Sequence, residues 1–289
     1  MLRLLALLVL APGGGLTFPT VANTTQFERI MGGSYARADE FPFMLALEDL
    51  EEQFCGAVAI SAYWAITAAH CVYSEGILAE IRKGRNGQGA DDPSCQSCTN
   101  RNTPDRMFLR AGSLWRGSGG SVHEVLLGYV PTSYYEGSNN HDIALLKVKR
   151  RFSVNSSVRY IQLPRQNEEV EDNTDAIVLG WGSTDRASRS SRKLRKAMVR
   201  TMDQGSCAEL EMFTEYESHE LTDGMLCATK FGRDSRNGDS GGPLLVKEGD
   251  RAKLIGIVSW GDGNGNPDWP GIYTKVSRYR NWIKRNSGV

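Results

Sequence analysis

The sequence has no excess of either charge and no long apolar segment in its interior. Lys plus Arg and Asp plus Glu each count 34, so the formal net charge is zero. This balance argues against a nucleic-acid-binding protein or a membrane-surface protein, since both depend on a basic surface. The 289 residues also show no internal repeat and no long heptad pattern, so neither a repeat architecture nor a coiled coil is expected.

A short apolar run lies near the N-terminus. Arg3 is followed by apolar residues 4–11 and small residues 12–15. This order predicts a secretory signal peptide, residues 1–15, cleaved near Gly15. The alternative, a membrane anchor, is disfavoured because a spanning helix needs about 20 apolar residues. We therefore expect a soluble, secreted protein.

Cysteines and sequons agree with an extracellular location. Six cysteines fit an oxidising compartment, and they allow many pairings among which the sequence alone does not choose. Two N-x-S/T sequons occur, at Asn23 and Asn155, and Asn155 is the better glycosylation candidate. The cysteines are Cys55, Cys71, Cys95, Cys98, Cys207 and Cys227.

Short β-type runs, separated by Gly, Asn, Asp and Pro, dominate the remaining chain and predict an all-β fold. The runs form two groups divided near Arg151, which indicates two barrels, and a helical apolar face over 276–283 predicts a terminal helix. The polar segment 82–106 is predicted to be a surface loop. The predicted strands are 43–47, 54–60, 64–67, 107–111, 123–129, 143–148, 176–181, 244–247, 254–260 and 271–276.

Three short motifs carry the chemistry. Each has an ordinary explanation alone: a packed histidine, a turn aspartate and a glycine-rich turn. Their occurrence together, in the order His, Asp, Ser, indicates a nucleophilic triad. The motifs are Ile66-Thr-Ala-Ala-His70-Cys71, Asn139-Asn-His-Asp142-Ile-Ala-Leu-Leu146 and Asn237-Gly-Asp-Ser240-Gly-Gly-Pro243-Leu244.

The pattern G-x-S-x-G around Ser240 also occurs in esterases and lipases. Those enzymes place their catalytic histidine after the serine in the sequence. All four histidines here, His70, His123, His141 and His219, precede Ser240. The esterase alternative therefore lacks its base.

From Arg29 to the C-terminus the chain resembles the trypsin-like serine proteases of the chymotrypsin family. The resemblance implies two six-stranded antiparallel β-barrels, over 30–151 and 152–289, with the active site between them and a short C-terminal helix. It implies an endopeptidase that needs no cofactor and acts on protein or peptide substrates. Protein inhibitors are further expected partners, nucleic acid and membranes are not, and a monomer is expected.

The resemblance also assigns roles. Ser240 corresponds to the nucleophile, His70 to the general base and Asp142 to the carboxylate that orients it. The N–H groups of Gly238 and Ser240 correspond to the oxyanion hole. His141 is interpreted as a bystander.

Activation has its own resemblance. Arg29-Ile30 matches the cleavage site of a zymogen whose propeptide would be residues 16–29. In the family the freed amine, here that of Ile30, pairs with the carboxylate corresponding to Asp239 and orders the site. The alternative is an ordinary basic–apolar junction.

The specificity pocket follows the trypsin-like branch. Asp234 corresponds to the residue at its base that pairs with Arg or Lys, and Gly261 and Gly271 correspond to its walls. The segment Ser259-Trp260-Gly261 corresponds to the strand that pairs with substrate. Cleavage after Arg or Lys is therefore expected.

Cysteine usage departs from the family. Bridges Cys55–Cys71 and Cys207–Cys227 are implied. Two other common bridges are absent as pairs, with Arg236 and Asn264 at one and Ala176 and Val246 at the other. The first loss affects the pocket, and Arg236 could compete for Asp234. This keeps open a second interpretation, a protease-like binding protein with weak turnover.

Three further segments receive local predictions. Cys95 and Cys98 are expected to bridge within the 82–106 loop. Segment 113–124 has one acid, too few for the calcium site of the family, so no metal is expected. The basic run 186–200 is interpreted as a solvated loop, with a self-cleavage site or an exosite as alternatives.

Overall fold

A computed structural model describes residues 33–50, 52–72, 107–135, 137–183, 190–214, 220–232, 234–235, 237–263 and 265–289. Several predictions lie outside these ranges: the signal peptide, the propeptide, the loop 82–106, Arg29, Ile30, Cys95, Cys98, Arg236 and Asn264. The strands are β1 (Ser34–Tyr35), β2 (Met44–Glu48), β3 (Gln53–Ala59), β4 (Trp64–Thr67), β5 (Phe108–Ala111), β6 (Ser121–Tyr129), β7 (Ala144–Val148), β8 (Asp175–Gly180), β9 (Arg195–Thr201), β10 (Met225–Thr229), β11 (Pro243–Glu248), β12 (Arg251–Trp260) and β13 (Gly271–Lys275). The α-helices are α1 (Gln204–Ala208), α2 (Glu211–Thr214) and α3 (Arg280–Ser287), and short 3-10 turns cover Ala69–Cys71 and Val276–Tyr279.

The first barrel is a closed antiparallel ring in the order β2-β3-β4-β7-β6-β5. Its strands are rich in aliphatic and β-branched residues, which suit a pleated, half-buried surface. Alternation is clear in β5, where Leu109 and Ala111 are buried and their neighbours are less so. The interior is filled by residues such as Leu45, Leu47 and Leu146, all fully buried.

The second barrel closes because β8 pairs with both β9 and β11, giving the ring β8-β9-β10-β13-β12-β11. The two barrels and the terminal helix confirm the predicted fold class. β1 adds to this ring by pairing with β9, although it comes from the start of the chain. Ala176 and Val246 are both buried in the apolar core of this barrel.

One apolar cluster joins the two barrels. Ile66 and Ile143 come from the first barrel, Trp181 and Ile257 come from the second, and Ile283 comes from α3. Burial of such side chains contributes about 1.5–3 kcal/mol each. The cluster therefore fixes the two barrels relative to each other, and it lies beneath the loops that carry the site. Within the described ranges, no helix is both long and apolar enough to cross a bilayer.

Candidate active site

Strand pairing in the first barrel brings His70 and Asp142 together. His70 follows β4 and Asp142 precedes β7, and these strands pair with Thr67 opposite Ala144. The His70 Nδ1 atom lies 2.8 Å from Asp142 Oδ2, and the His70 main-chain N–H donates to Asp142 Oδ1 at 2.9 Å. The carboxylate is therefore held by both the ring and the backbone of the same histidine.

The second barrel completes the surroundings of Asp142. Ser259 Oγ donates to Asp142 Oδ2 at 2.5 Å, and Thr274 Oγ1 donates to the Asp142 carbonyl at 2.6 Å. Asp142 is fully buried. A buried carboxylate is costly unless it accepts strong hydrogen bonds, and here three donors surround it. The sequence interpretation did not give Ser259 or Thr274 this role.

His141, the neighbour of Asp142, makes a separate contact. Its Nδ1 atom lies 3.1 Å from the Tyr279 hydroxyl, and the two rings meet edge to face. Burial lowers the pKa of His141. This ring is therefore engaged with the C-terminal turn.

The loop that carries Ser240 is pressed against the first barrel. The Gly56 N–H of β3 donates to the Ser240 carbonyl at 2.7 Å. Gly241 has φ +76°, and a Cβ atom there would overlap Thr67 Oγ1 and the Gly56 carbonyl. Only glycine fits this close approach.

Cys55 in β3 precedes Gly56 and is bridged to Cys71, the residue after His70. The Cys71 Sγ atom lies 3.7 Å from His70 Nε2. Strand β3 therefore anchors both the histidine turn and the Ser240 loop. The second implied disulfide, Cys207–Cys227, is also present and links α1 to β10.

Asp239 lies fully buried beside the end of β8. Its Oδ1 atom accepts from the Gly182 N–H at 2.7 Å. A Cβ atom on Gly182 would lie 2.5 Å from Asp239 Cγ, and a Cβ atom on Gly180 would overlap Oδ1. The sequence Gly180-Trp181-Gly182 thus leaves the space that the carboxylate occupies. These two glycines were not predicted as site residues, although their spacing at the end of a predicted strand was a usable signal.

Asp234 is also buried, with 3% of its surface exposed. Its carboxylate accepts from the Ser235 N–H at 2.7 Å and the Gly265 N–H at 3.4 Å. Desolvation raises the pKa of Asp234 to about 7 and outweighs these hydrogen bonds. The carboxylate therefore sits where a cation would stabilise its charge.

Gly261 and Gly271 lie close together, and Gly271 lies beside Asp234. A Cβ atom on Gly261 would lie 3.3 Å from Gly271 Cα, and one on Gly271 would lie 2.9 Å from Asp234 Oδ1. The same Cβ atom on Gly271 would lie 3.1 Å from the hydroxyl of Tyr273, which is fully buried. The structure thus brings the predicted pocket residues together and adds Tyr273, which the sequence analysis did not single out.

Comparison with known proteins supports this geometry. The family model described as Trypsin matches residues 30–283. The chain is 30% identical over 283 residues to "Trypsin" of Phaedon cochleariae, covering 95% of this chain and 96% of that protein. It is 32% identical over 264 residues to "Trypsin 5G1" of Aedes aegypti (90% and 86%) and 31% identical over 268 residues to "Trypsin-1" of Astacus astacus (89% and 100%).

The chain belongs to the trypsin family. It is a serine endopeptidase, a hydrolase that acts on protein or peptide substrates.

This trypsin-family chain also has an aromatic pair next to the predicted substrate strand. Phe213 of α2 meets Trp260 edge to face, with ring centroids 5.7 Å apart. Such pairs contribute about 0.5–1.5 kcal/mol beyond area burial. Phe213 was missed because nothing in its local sequence links it to Trp260, 47 residues later.

The described part of the basic run 186–200 is largely strand rather than loop. Residues 195–201 form β9, which corrects the interpretation of this part as a solvated loop. Lys196 pairs with Glu40, Arg200 Nε lies 2.8 Å from Asp175 Oδ1, and Arg195 Nη2 donates to the Gly33 carbonyl at 2.6 Å. Each of these three cationic side chains is therefore engaged in a contact within the protein.

Proposed function

We propose that the chain is a secreted zymogen which, after cleavage at Arg29, hydrolyses peptide bonds following Arg or Lys. The observation that carries the specificity is the desolvated carboxylate of Asp234. It lies beside Gly271, where a Cβ atom would come within 2.9 Å of Asp234 Oδ1, and its pKa is raised by burial. An incoming guanidinium or ammonium group would relieve that desolvation cost.

The proposed chemistry proceeds through an acyl-enzyme. Ser240 Oγ attacks the scissile carbonyl while His70 takes its proton and then donates it to the leaving amine. Asp142 fixes the His70 tautomer, since its carboxylate accepts from Nδ1 and leaves Nε2 for the serine. The N–H groups of Gly238 and Ser240 stabilise the oxyanion. Water then releases the acyl group by the reverse proton path.

The proposed activation switch joins the Ile30 amine to Asp239. Support comes from how the chain near the N-terminus is held. Arg195 donates to the Gly33 carbonyl, and Arg195 lies opposite Gly180, which abuts the Asp239 carboxylate. Ile30 lies three positions before Gly33 in the sequence, and an extended chain spans about 10 Å over three residue steps.

Secretion and glycosylation complete the proposal. The apolar run of residues 4–11, which follows Arg3, supports a signal peptide. Asn155 is exposed, and its side chain is hydrogen-bonded to the local backbone of Ser153 and Ser157. A glycan on Asn155 would therefore project into solvent.

One experiment tests the main proposal. The chain is cleaved after Arg29, titrated with a serine acylator and assayed with chromogenic peptides carrying Arg, Lys or Phe before the scissile bond. Stoichiometric labelling with turnover of the Arg and Lys peptides is expected. Labelling with preferential turnover of the Phe peptide would refute the Asp234 assignment. Turnover near background would favour the weakly active binding protein.

A further inference from the structure

Gln53, the first residue of β3, reaches from the first barrel into the Ser240 loop of the second. Its side chain is buried, with 4% of the residue exposed. The Nε2 atom donates to the Gly238 carbonyl at 2.9 Å and to the Cys55 carbonyl at 3.0 Å. Both partners are carbonyl oxygens, which only accept, so the NH2 end of the amide must face them. Both of its protons are used.

The Gly238 bond completes a series of anchors along the loop. Each of the four consecutive carbonyls from 237 to 240 accepts one hydrogen bond. The donors, in that order, are Ser183 N–H at 2.8 Å, Gln53 Nε2 at 2.9 Å, Gly242 N–H at 2.9 Å and Gly56 N–H at 2.7 Å. Among these four, Gln53 is the anchor supplied by a side chain.

The anchors bear directly on Gly238. This residue has φ +94°. Glycine adopts positive and negative φ about equally readily, so its own backbone preference does not hold it in this conformation. The Ser183 bond to the Asn237 carbonyl holds the peptide plane that carries the Gly238 N–H. The Gln53 bond to the Gly238 carbonyl holds the next plane. Together they clamp the glycine on both sides.

We propose that Gln53 is a positioning residue for the oxyanion hole, which holds the Gly238 N–H in its donating orientation by restraining the Gly238 carbonyl. The inference rests on the proposed role of Gly238 as an oxyanion donor. Strand β3 also carries Cys55, which is bridged to the turn that follows His70, and Gly56, which is hydrogen-bonded to the Ser240 loop. The same strand therefore positions Gly238, Ser240 and His70 relative to one another. A preorganised donor needs no reorientation during the reaction.

The test compares Gln53→Met, which keeps length and removes both donors, with the wild type after cleavage at Arg29. The probes are a small fluorophosphonate, whose reaction with Ser240 needs the oxyanion hole, and benzamidine, whose binding needs only the pocket. We expect fluorophosphonate reactivity and kcat to fall by roughly tenfold, less than the 100- to 1000-fold of a lost oxyanion donor. Benzamidine affinity should stay within about twofold, as a loss confined to the transition state requires.

Thr201→Val is the matched control. Thr201 is 2% exposed, and its hydroxyl donates to the Glu171 carbonyl at 2.8 Å and accepts from the Thr174 N–H at 2.9 Å. It therefore loses a comparable pair of buried hydrogen bonds without touching the loop. It should lower the melting temperature while leaving fluorophosphonate reactivity within about twofold.

Gln53→Glu supplies a second readout in case the Met variant does not fold. A carboxylate would face two carbonyl oxygens and repel them, whereas the protonated acid donates one hydrogen bond. The activity ratio of this variant to wild type should therefore rise as the pH falls.

Three outcomes would overturn the proposal. The first is unchanged fluorophosphonate reactivity of a folded Gln53→Met variant, and the second is a loss of benzamidine affinity as large as its loss of reactivity. The third is an activity ratio of Gln53→Glu to wild type that does not change with pH. If wild type reacts with the fluorophosphonate but does not cleave after Arg or Lys, only the specificity proposal fails. If wild type does not react at all, the proposed Ser240 chemistry and this inference both fail.

Discussion

Gly180 lies against the carboxylate of Asp239, so closely that a Cβ atom on Gly180 would overlap Oδ1. The Gly180 Cβ position would also come within 3.1 Å of Asp239 Cβ, and this short side chain is fully buried, so the carboxylate has little room to move aside. A side chain at position 180 is therefore incompatible with the observed position of Asp239.

Gly180→Ala is expected to displace Asp239 and, with it, the adjoining Ser240 loop. The fraction of cleaved enzyme molecules whose Ser240 reacts with a fluorophosphonate should fall. The value of kcat/KM should fall by at least about tenfold. The control is Gly249→Ala, because no atom lies within 4 Å of its Cβ position. With φ +61° it should lose about 1–2 kcal/mol of stability yet keep its activity. Full activity of Gly180→Ala would refute the steric argument.

The raised pKa of Asp234 predicts a pH-dependent pocket. A carboxyl whose folded pKa is raised to about 7 is largely protonated at pH 6, and only its ionised form attracts a cation. The affinity of benzamidine, which stays charged over this range, should weaken below pH 7 and approach a tenfold loss per pH unit. Inhibition constants between pH 5 and 8 measure this, and a flat profile would contradict it.

The same group predicts a stabilising substitution. Burial favours neutral Asp234, so its contribution to stability is greatest at low pH and is lost as pH rises from the ordinary value of 3.8 through about 7. Asp234→Asn should therefore raise the free energy of unfolding at pH 8, by up to about 4 kcal/mol, while abolishing cleavage after Arg and Lys. At pH 4 the two proteins should unfold at similar denaturant concentrations. A destabilised Asn variant at pH 8 would count against the desolvation argument.

Ser259 holds Asp142 from the second barrel, so Ser259→Ala should lower kcat more than it raises KM. The loss of a hydrogen bond to a charged group is worth about 1.5–3 kcal/mol, or roughly 10- to 100-fold. Ser191→Ala is a suitable control, since Ser191 is also buried and donates to the Lys193 carbonyl at 2.7 Å. Steady-state kinetics should separate the two variants, and equal kinetics would remove the assigned role.

Alkaline inactivation tests the activation switch. A solvent-exposed α-amine has a pKa of about 8, and pairing with Asp239 would raise the pKa of the Ile30 amine above that value. Its stabilising contribution is present at lower pH and is lost as the pH rises through the folded value. Activity of the cleaved enzyme should therefore fall in the alkaline range. Acetylation of the free Ile30 amine should remove activity at every pH, and unchanged activity would rule out the switch.

The sequence predicted much of the fold because most strands carry a local signal. β4 and β12, for example, are dense in aliphatic and aromatic residues; the bounds of β4 were predicted correctly, and β12 begins three residues before its predicted start and ends where predicted. β9 was missed because two of its three outward positions, Lys196 and Arg200, are basic and Arg195 is buried, which conceals the alternation visible at Ala197 and Val199. β10 is short, and Cys227 within it was interpreted only as a bridge partner.

The sequence by itself predicted the candidate catalytic groups, because His70, Asp142 and Ser240 each stand in a short motif and the order of the three motifs distinguishes a protease from an esterase. Only the tertiary structure decided how these groups are held. Gln53 and Gly238 are 185 residues apart, and Ser259 and Asp142 are 117 apart. Such contacts depend on which strands pair and how the barrels pack, which no local pattern encodes. The desolvation that raises the pKa of Asp234 likewise exists only after the chain has folded around this carboxyl group.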